Sequence, residues 1–424
     1  MKQVSLNQQA TQTTVPKVKY PLYDILLKKE WSYETGAVLL AAFGLALAIV
    51  TGGAWGVTGP LHLWGAKFLS LFGVNVGAIA AFSGVAEFSF WRSMASMTNL
   101  GLVVGALVAV LLAAQFKLKG INNWRNVAAA VLGGLLMGVG ARFADGCNIG
   151  ALFSALPAFS LQGWAFMGAM FFGAPVGSVL LKKYFMSASV VKKPRKSVAV
   201  KLSPEQRKRK RIIQIIIGLI LLVAYIALAV YAQEINPNAA FILMIGLAFG
   251  YVLQRSRFCF TACFRDPYLT GTTNLTKAVI LTLVLSSVVF AALQMQATGF
   301  NLENLIIEDL AGNVRPVGIV TLLGGFIFAI GAVIAGGCAS GTFVRMGEGF
   351  MQLWITIVFF IIGSMIGAIA MIPVRETFLF SPEPIYLPQA LGGWIPALIF
   401  QFGILIVVYF IADWYGKKKS GALQ

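Results

Sequence analysis

The chain has 424 residues, of which 58% are hydrophobic and only 11% are charged, and its net charge at pH 7 is +18. Soluble domains carry about 25% charged residues, so this composition excludes an ordinary soluble protein. The positive charge does not indicate nucleic-acid binding, because the basic residues cluster between apolar runs of the length that crosses a bilayer. We therefore predict an all-α polytopic membrane protein that lies in the lipid bilayer.

In chain order, basic segments divide the apolar runs into two membrane halves. We predict a basic tail at 1–35, a first half at 36–181, a basic linker at 182–211, a second half at 212–413 and a basic tail at 414–424. The apolar runs are 36–55, 99–114, 127–140, 163–181, 212–231, 239–253, 277–293, 317–335, 353–372 and 394–411. A shorter mixed segment, 60–72, is typical of a helix in the membrane interface, and its His62 is expected to carry no chemistry, with a proton relay as the alternative.

The charged loops predict the orientation in the membrane. The tails, the linker and the loop containing Lys117, Lys119 and Arg125 are basic, and basic loops normally stay in the cytoplasm. Both termini are therefore predicted to be cytoplasmic. The acidic stretch of Glu303, Glu308 and Asp309 then falls on the outer side.

Two stretches of the chain are related in sequence. Residues 132–150 read LGGLLMGVGARFADGCNIG, and residues 323–341 read LGGFIFAIGAVIAGGCASG, an offset of 323 − 132 = 191. The offset aligns Cys147 with Cys338, although the chain has only four cysteines. Duplicated halves are typical of membrane transporters, whose site lies between the repeats. The loop charges give the two copies opposite orientations, so we predict inverted repeats whose re-entrant or broken helices meet at a central pore.

Each copy ends in Gly-Cys-x-x-Gly, which predicts a helix broken inside the membrane. The glycines are Gly146 and Gly150 in the first copy and Gly337 and Gly341 in the second. Irregular backbone at that depth is tolerated only where it is buried in protein or lines a cavity. A short helix that begins there offers free N–H groups to an anion. The alternative is that these glycines only allow close helix packing.

A third motif runs from 254 to 266 and reads QRSRFCFTACFRD. Its Cys259 and Cys263 have helical spacing, which predicts two thiols on one face. Arg257 and Arg265 are candidate binding residues, because charges inside a membrane are usually functional. The alternative is that these arginines only fix the topology at the interface. Arg142 and Asp145, beside Cys147, form a comparable local pair that we expect to be mutually neutralised.

With these motifs the chain resembles the YeeE/YedE family of bacterial inner-membrane sulfur transporters. The resemblance rests on both Gly-Cys-x-x-Gly motifs and on GYVLQRSRFC at 250–259, and the total length and basic linker are closer to the YedE branch. It implies a permease in the bacterial inner membrane that takes up thiosulfate, with Cys147, Cys338 and Cys259 lining the pore and relaying the ion. It also implies a selenium or other reduced sulfur species as an alternative substrate, and a small cytoplasmic sulfur-carrier (TusA-like) protein as a partner.

Thiols suit such a substrate because a neutral S–H group is a weak donor that binds a dianion without trapping it. A membrane sulfurtransferase that forms Cys persulfides would use the same residues, but neither Cys147 nor Cys338 has a His or Lys beside it in sequence to activate the thiol. Copper transport and a haem or quinone enzyme are further alternatives, although the cysteines are dispersed and there is one histidine. We predict a transporter rather than an enzyme, with no cofactor, no bound metal and no nucleic-acid partner.

Overall fold

The computed structural model describes residues 23–121, 123–186, 203–298, 313–381, 383–419 and 421. Over these ranges the chain forms helices, and extended segments pair only through isolated bridges. The α-helices, in chain order, are α1 Tyr33–Thr51, α2 Leu61–Ser70, α3 Met94–Leu112, α4 Trp124–Phe143, α5 Leu161–Leu180, α6 Pro204–Ala232, α7 Ala239–Arg255, α8 Ala262–Leu269, α9 Asn274–Thr298, α10 Ile319–Ala335, α11 Ala339–Gly347, α12 Met351–Val374, α13 Leu387–Ala390 and α14 Trp394–Lys419.

Nine helical segments among the described residues are long and apolar enough to cross a membrane, and α7 is a shorter apolar helix. The prediction of an all-α polytopic membrane protein is therefore confirmed. Helix ends are set by local chemistry rather than by hydropathy alone. For example, α1 ends at Thr51, before the predicted 55, because Gly52 adopts the left-handed conformation with φ of 68° and closes the helix.

The basic segments are partly helical. Helix α6 begins at Pro204 with a capping box between Ser203 and Gln206, so the predicted linker residues 204–211 form the first turns of this helix. The segment Leu181–Met186 continues from α5 as a π-helical turn. The rest of the linker at 187–202, the first 22 residues of the N-terminal tail and the acidic residues Glu303, Glu308 and Asp309 lie outside the described part of the chain.

Helices α4 and α10, which precede the two Gly-Cys-x-x-Gly motifs, cross through a seam of small residues. A Cβ built on Gly133 would lie 2.8 Å from the Gly331 oxygen, and a Cβ on Gly140 would lie 2.6 Å from the Gly324 oxygen. The order of these contacts makes the two helices antiparallel. The repeated glycines inside the two helices therefore serve close packing.

Basic loops meet at one side of the molecule, which we call the basic side. Lys119, before α4, donates its backbone N–H to Gly349 at 2.8 Å, and Gly349 follows α11. Helix α4 starts at this side, and α10 starts at the opposite side. The backbone of Ala335, at the end of α10, packs against Gly133 in the middle of α4, so α10 ends about halfway along its neighbour. The chain beyond Ala335 consequently begins a new helix within the bundle.

Candidate functional site

The first motif turns sharply after α4 and starts a new helix at its cysteine. Asp145 has a left-handed φ of 49°, and Cys147 is extended and caps a short π-helix, Asn148–Ala155. The Cys147 thiol is fully buried and interacts with the backbone N–H groups of Ile149 and Gly150 in the first turn of that helix. Cys147 therefore lies at the N-terminus of a helix that begins inside the bundle.

Thr58 and Arg142 surround the same thiol from outside the motif. The hydroxyl and backbone N–H of Thr58 interact with Cys147, and Arg142 donates to the Thr58 carbonyl at 2.6 Å. Asp145 lies close enough to Arg142 to interact with its charge, as expected, but it forms its ion pair with Arg315, at 3.8 Å. Sequence reasoning missed Thr58, because a threonine in an apolar loop has no motif or spacing that would indicate contact with Cys147.

The second motif repeats this construction. Helix α10 ends at Gly336, whose φ of 83° allows the turn, and Cys338 is the extended N-cap of α11. The Cys338 thiol is 1% exposed and lies 3.4 Å from the Ser340 hydroxyl. Helix α11 then leads to Gly347, which packs against α3 near the basic side. In contrast, the helix that follows Cys147 leads towards Ser160, which pairs with Tyr386 on the opposite side.

Cys259 and Cys338 are neighbours. Their side chains interact directly, and a Cβ built on Gly341 would lie 3.7 Å from the Cys338 sulfur and 3.9 Å from the Cys259 sulfur. Gly341 therefore leaves a space about the size of a methyl group beside both thiols. All four cysteines are free thiols. The structure brings one thiol from the repeat together with one from the third motif, which sequence spacing could not reveal.

Cys263 does not share this position. Cys259 lies just before α8 and Cys263 lies within it, and the Cys263 N–H donates to the Cys259 carbonyl at 3.3 Å, so the backbone has the expected helical spacing. That both thiols lie on one helical face stays a prediction. The Cys263 thiol donates to the Phe260 carbonyl at 3.0 Å and borders a largely apolar cavity of about 100 Å³ between α5, α8, α9 and α14. Cys263 is thus separated from the cysteines of the two repeats.

The arginines of the third motif are held by other partners. Arg257 pairs with Glu30 at 3.1 Å and with Glu348 at 3.2 Å, and Arg265 pairs with the adjacent Asp266 at 2.7 Å. Arg265 still lies close enough to Cys259 to act on its thiol electrostatically. Arg257 instead joins α11 to the N-terminal segment at the basic side, which favours the topological alternative for this residue.

A buried hydrogen bond links the first motif to the third. The Asn148 amide donates to the Thr261 hydroxyl at 3.2 Å, and both side chains are fully buried. The short helix Asn148–Ala155 also packs against α11, so the helices that begin at the two repeat cysteines touch each other. All three cysteine motifs therefore belong to one contiguous region between the halves of the chain.

Opposite the basic side, a cavity of about 510 Å³ opens beside the first motif. Its charged or titratable lining residues are His62, Arg142, Asp145, Arg315, Arg375 and Glu376. Asn313 donates to the Gly150 carbonyl at 2.9 Å, so the segment before α10 lies against the first motif. Three guanidinium groups against two carboxylates give this cavity an excess of positive charge, which attracts anions.

His62 belongs to this cavity rather than to an isolated interfacial helix. Its Nδ1 lies 3.1 Å from an Arg142 N–H group. Burial, with a contribution from the Arg142 guanidinium, lowers the pKa of His62 from 6.5 to about 4. His62 is therefore neutral at pH 7 and accepts the hydrogen bond, which fixes the guanidinium beside Thr58.

The glycines of the motifs differ in what surrounds them. A Cβ on Gly146 would meet the Ala151 side chain at 3.1 Å, whereas the nearest atom to a Cβ on Gly337 is 3.5 Å away and on Gly150 it is 3.9 Å away. Close packing therefore accounts for Gly146 but not for Gly150, Gly337 or Gly341. Among the residues that the structure describes, no three His, Cys, Asp or Glu side chains cluster in a way that could hold a metal ion.

Comparison with known proteins agrees with this architecture. The family profile described as sulphur transport matches residues 2–176 and 255–423. The probable transporter YedE of Escherichia coli (strain K12) is 30% identical over 309 residues, which is 72% of this chain and 73% of that protein. The probable transporter YedE of Salmonella typhimurium is 29% identical over 90% of this chain and 92% of that protein. The thiosulfate transporter TsuA of Spirochaeta thermophila is 37% identical over 42% of this chain and 54% of that protein.

Proposed function

The chain belongs to the sulphur-transport family, in its YedE branch, and on that premise we propose that it is a permease that takes up thiosulfate. The observation that carries the proposal is the meeting of three cysteine motifs between the halves of the chain, with Cys147 and Cys338 each at the start of a short helix. The thiosulfate transporters among its relatives support the choice of anion.

In this proposal the ion first enters the cationic cavity beside the first motif. Arg315 and Arg375 are at the surface of the cavity, and Arg142 lies deeper, against Thr58. Surface cations raise the local concentration of an anion, but fixed cations along the whole path would retain it. Beyond Arg142 the proposed path therefore continues through uncharged donors.

The uncharged donors are thiols and helix N-termini. The Cys147 thiol and the first turn of the helix at Asn148 form one group of donors, and the paired thiols of Cys259 and Cys338 form the next. Each S–H group is a weak donor, so the ion meets a series of shallow energy wells. Beside the Cys259–Cys338 pair, Gly341 leaves the space that the terminal sulfur atom of thiosulfate would need.

We propose that the two halves are inverted repeats around this path. The antiparallel crossing of α4 and α10 supports that proposal, as does the departure of the two short helices towards opposite sides. A broken helix at each cysteine lets backbone N–H groups face a pore from both directions. The pore itself is part of the proposal.

The basic side is the proposed cytoplasmic docking face for a small sulfur-carrier protein of the TusA-like kind. Lys117, Lys119, Arg257 and Arg345 cluster there around Glu348. Burial, with a contribution from the neighbouring cations, lowers the pKa of Lys119. Helix α11 ends within this cluster, so a carrier on this face would receive the ion near the end of the proposed path. Because basic loops normally stay in the cytoplasm, we also propose that the protein lies in the bacterial inner membrane with both termini in the cytoplasm.

The experiment that tests the proposal is uptake of labelled thiosulfate into proteoliposomes. We expect Cys147→Ala and Cys338→Ala each to abolish uptake, because each removes one level of donors. Cys263→Ala is the matched control, since it removes a buried thiol outside the path. Wild-type rates in both Cys147→Ala and Cys338→Ala would refute the relay.

The same preparation distinguishes the alternative substrates and chemistry. Competition by unlabelled sulfite, selenite and sulfate tests whether a selenium or another sulfur species is preferred. Alkylation followed by mass analysis tests for sulfur bound to Cys147, Cys259 or Cys338. A persulfide that appears during turnover would favour the sulfurtransferase alternative over hydrogen-bonded passage.

A further inference from the structure

The Asn148 side chain is fully buried, although only one of its two polar atoms forms a hydrogen bond. Its Nδ2 group donates to Thr261, but its Oδ1 atom has no partner and the side chain is 0% exposed. A buried polar atom without a partner is costly, so packing alone does not account for an asparagine here. The related position in the second half is Ala339, because 148 + 191 = 339. The repeat itself therefore does not require a polar side chain.

The Asn148 amide connects the segments that carry the two groups of thiols. Asn148 directly follows Cys147, and Thr261 lies two positions after Cys259, whose thiol contacts Cys338. The hydrogen bond from Asn148 to Thr261 thus joins the segment that carries Cys147 to the segment that carries Cys259.

An amide group and a hydroxyl group can each donate or accept a hydrogen bond. If the Asn148 amide rotates by half a turn, Oδ1 accepts from the Thr261 hydroxyl and Nδ2 presents two N–H donors to the space that Oδ1 occupied. The rotated contact keeps one hydrogen bond to Thr261 and gains donors for the oxygen atoms of an anion. Neither state carries a charge that would trap the ion.

We propose that Asn148 and Thr261 form a separate binding step for the oxygen atoms of a sulfur oxyanion, between Cys147 and the Cys259–Cys338 pair. This inference rests on the proposed function and adds a selectivity element to it. The thiols contact the terminal sulfur, and the amide N–H groups contact the oxygens. The step therefore selects oxyanions over hydrosulfide, which has no oxygen to accept these bonds.

The test uses uptake of labelled thiosulfate by the full-length protein in proteoliposomes. Asn148→Leu removes the donors and should reduce the initial rate about tenfold, which corresponds to losing one hydrogen bond to a charged group. Thr261→Val should reduce it about threefold, because the Asn148 amide remains. Gln401→Leu is the matched control, since Gln401 is a buried amide bonded to Leu156 and Ser287 outside the three motifs. Its rate should stay within about twofold of wild type.

Asn148→Asp distinguishes a role in binding from a role in packing. The aspartate has nearly the same shape and still accepts from Thr261, but its ionised form repels the anion. We expect burial to keep this carboxyl group protonated at pH 5.5 but not at pH 8.5, so uptake by the variant should be lost at pH 8.5 and recover at pH 5.5, while the wild-type rate changes little. Competition by hydrosulfide should also become stronger in Asn148→Leu than in the wild type.

Three results would overturn the inference. The first is wild-type uptake by Asn148→Leu in vesicles where Cys147→Ala is inactive, which would leave the proposed function intact. The second is a loss in Asn148→Asp that is equal at every pH and accompanied by a lower melting temperature, which would mean a packing role. The third is wild-type uptake by both Asn148→Leu and Cys147→Ala, which would refute the cysteine relay as well, whereas the proposed function itself fails only if the wild-type protein takes up no thiosulfate.

Discussion

The two repeat cysteines have the same local backbone but different surroundings. The Cys147 thiol contacts Thr58 and the first turn of its own helix, and it lies below a cavity with an excess of guanidinium groups. Cys338 lies beside a second thiol, that of Cys259, on a segment outside the 191-offset repeat. The duplicated sequence therefore specifies the break in the helix, and the neighbouring segments specify what each thiol can do. We interpret the first as the receiving end of the path and the second as its narrow end.

The largest expected effect tests the thiol pair at the second motif. Cys259→Ala should lower thiosulfate uptake at least about tenfold, because it removes the partner of Cys338 and one donor to the ion. Cys263→Ala should stay within about twofold of wild type, since its thiol bonds to Phe260. Initial uptake rates in proteoliposomes measure both. Equal losses in the two variants would mean that Cys263 also lines the path.

The next prediction compares a glycine at the crossing of α4 and α10 with a glycine of the second Gly-Cys-x-x-Gly motif. Gly331→Ala places a Cβ 2.7 Å from the Met137 backbone nitrogen, so it should destabilise the fold by about 1–3 kcal/mol. Gly341→Ala meets only the two sulfurs, at 3.7 and 3.9 Å, so it should leave the melting temperature unchanged and still slow uptake.

Melting temperature in detergent and uptake rate, measured on the same two preparations, check this contrast. An unstable Gly341→Ala would mean that this glycine, too, serves packing. A stable Gly331→Ala would mean that α4 and α10 can separate without cost.

A smaller effect tests the cationic cavity at the first motif. Arg315→Gln should raise the KM for thiosulfate about threefold, and Asp145→Asn should lower it by a similar factor, because the first removes a cation and the second removes a competing carboxylate. The Arg315–Asp145 pair is about half exposed, which limits the size of both changes. If KM changes in the same direction in both variants, the Arg315–Asp145 ion pair stabilises the local structure and does not act through the charge of the cavity.

The smallest effect concerns the pH dependence of His62. Its pKa is lowered to about 4 in the folded protein, below the 6.5 of the unfolded chain, so the neutral form is favoured by folding. The stability from this group is fully present above pH 6.5 and is lost as the pH falls towards 4. We expect the melting temperature to fall by a few degrees more between pH 7 and 4.5 in the wild type than in His62→Gln, whose amide can still accept from Arg142. Identical pH slopes would contradict this assignment.

Much of the fold was predictable because membrane helices are specified by composition. An apolar run must satisfy its backbone internally, so hydropathy located the spanning helices, although α14 continues to Lys419, beyond the predicted end at 411. The boundary at the linker was less accurate, because the basic residues before 212 continue into the capped start of α6. Hydropathy cannot detect a helix that extends beyond the bilayer.

The candidate site was only partly predictable. The cysteines and the break at each motif were visible as a repeat with Gly-Cys-x-x-Gly. The contact of Cys259 with Cys338, the approach of Thr58 to Cys147 and the pairing of Arg315 with Asp145 each join distant segments. None of these pairs has a spacing or periodicity that would indicate contact.

The sequence by itself determined that this chain is a helical membrane protein of the sulphur-transport family, with two breaks that each carry a cysteine. The membrane helices and the breaks follow from composition and from local backbone chemistry, which need no partner, whereas the family was indicated by the resemblance of the three cysteine motifs. Only the tertiary structure decided which groups surround each break, namely guanidinium groups near Cys147 and a second thiol at Cys338. The physical reason is that side-chain environments depend on how helices far apart in sequence cross, and the small-residue seam between α4 and α10 sets that crossing.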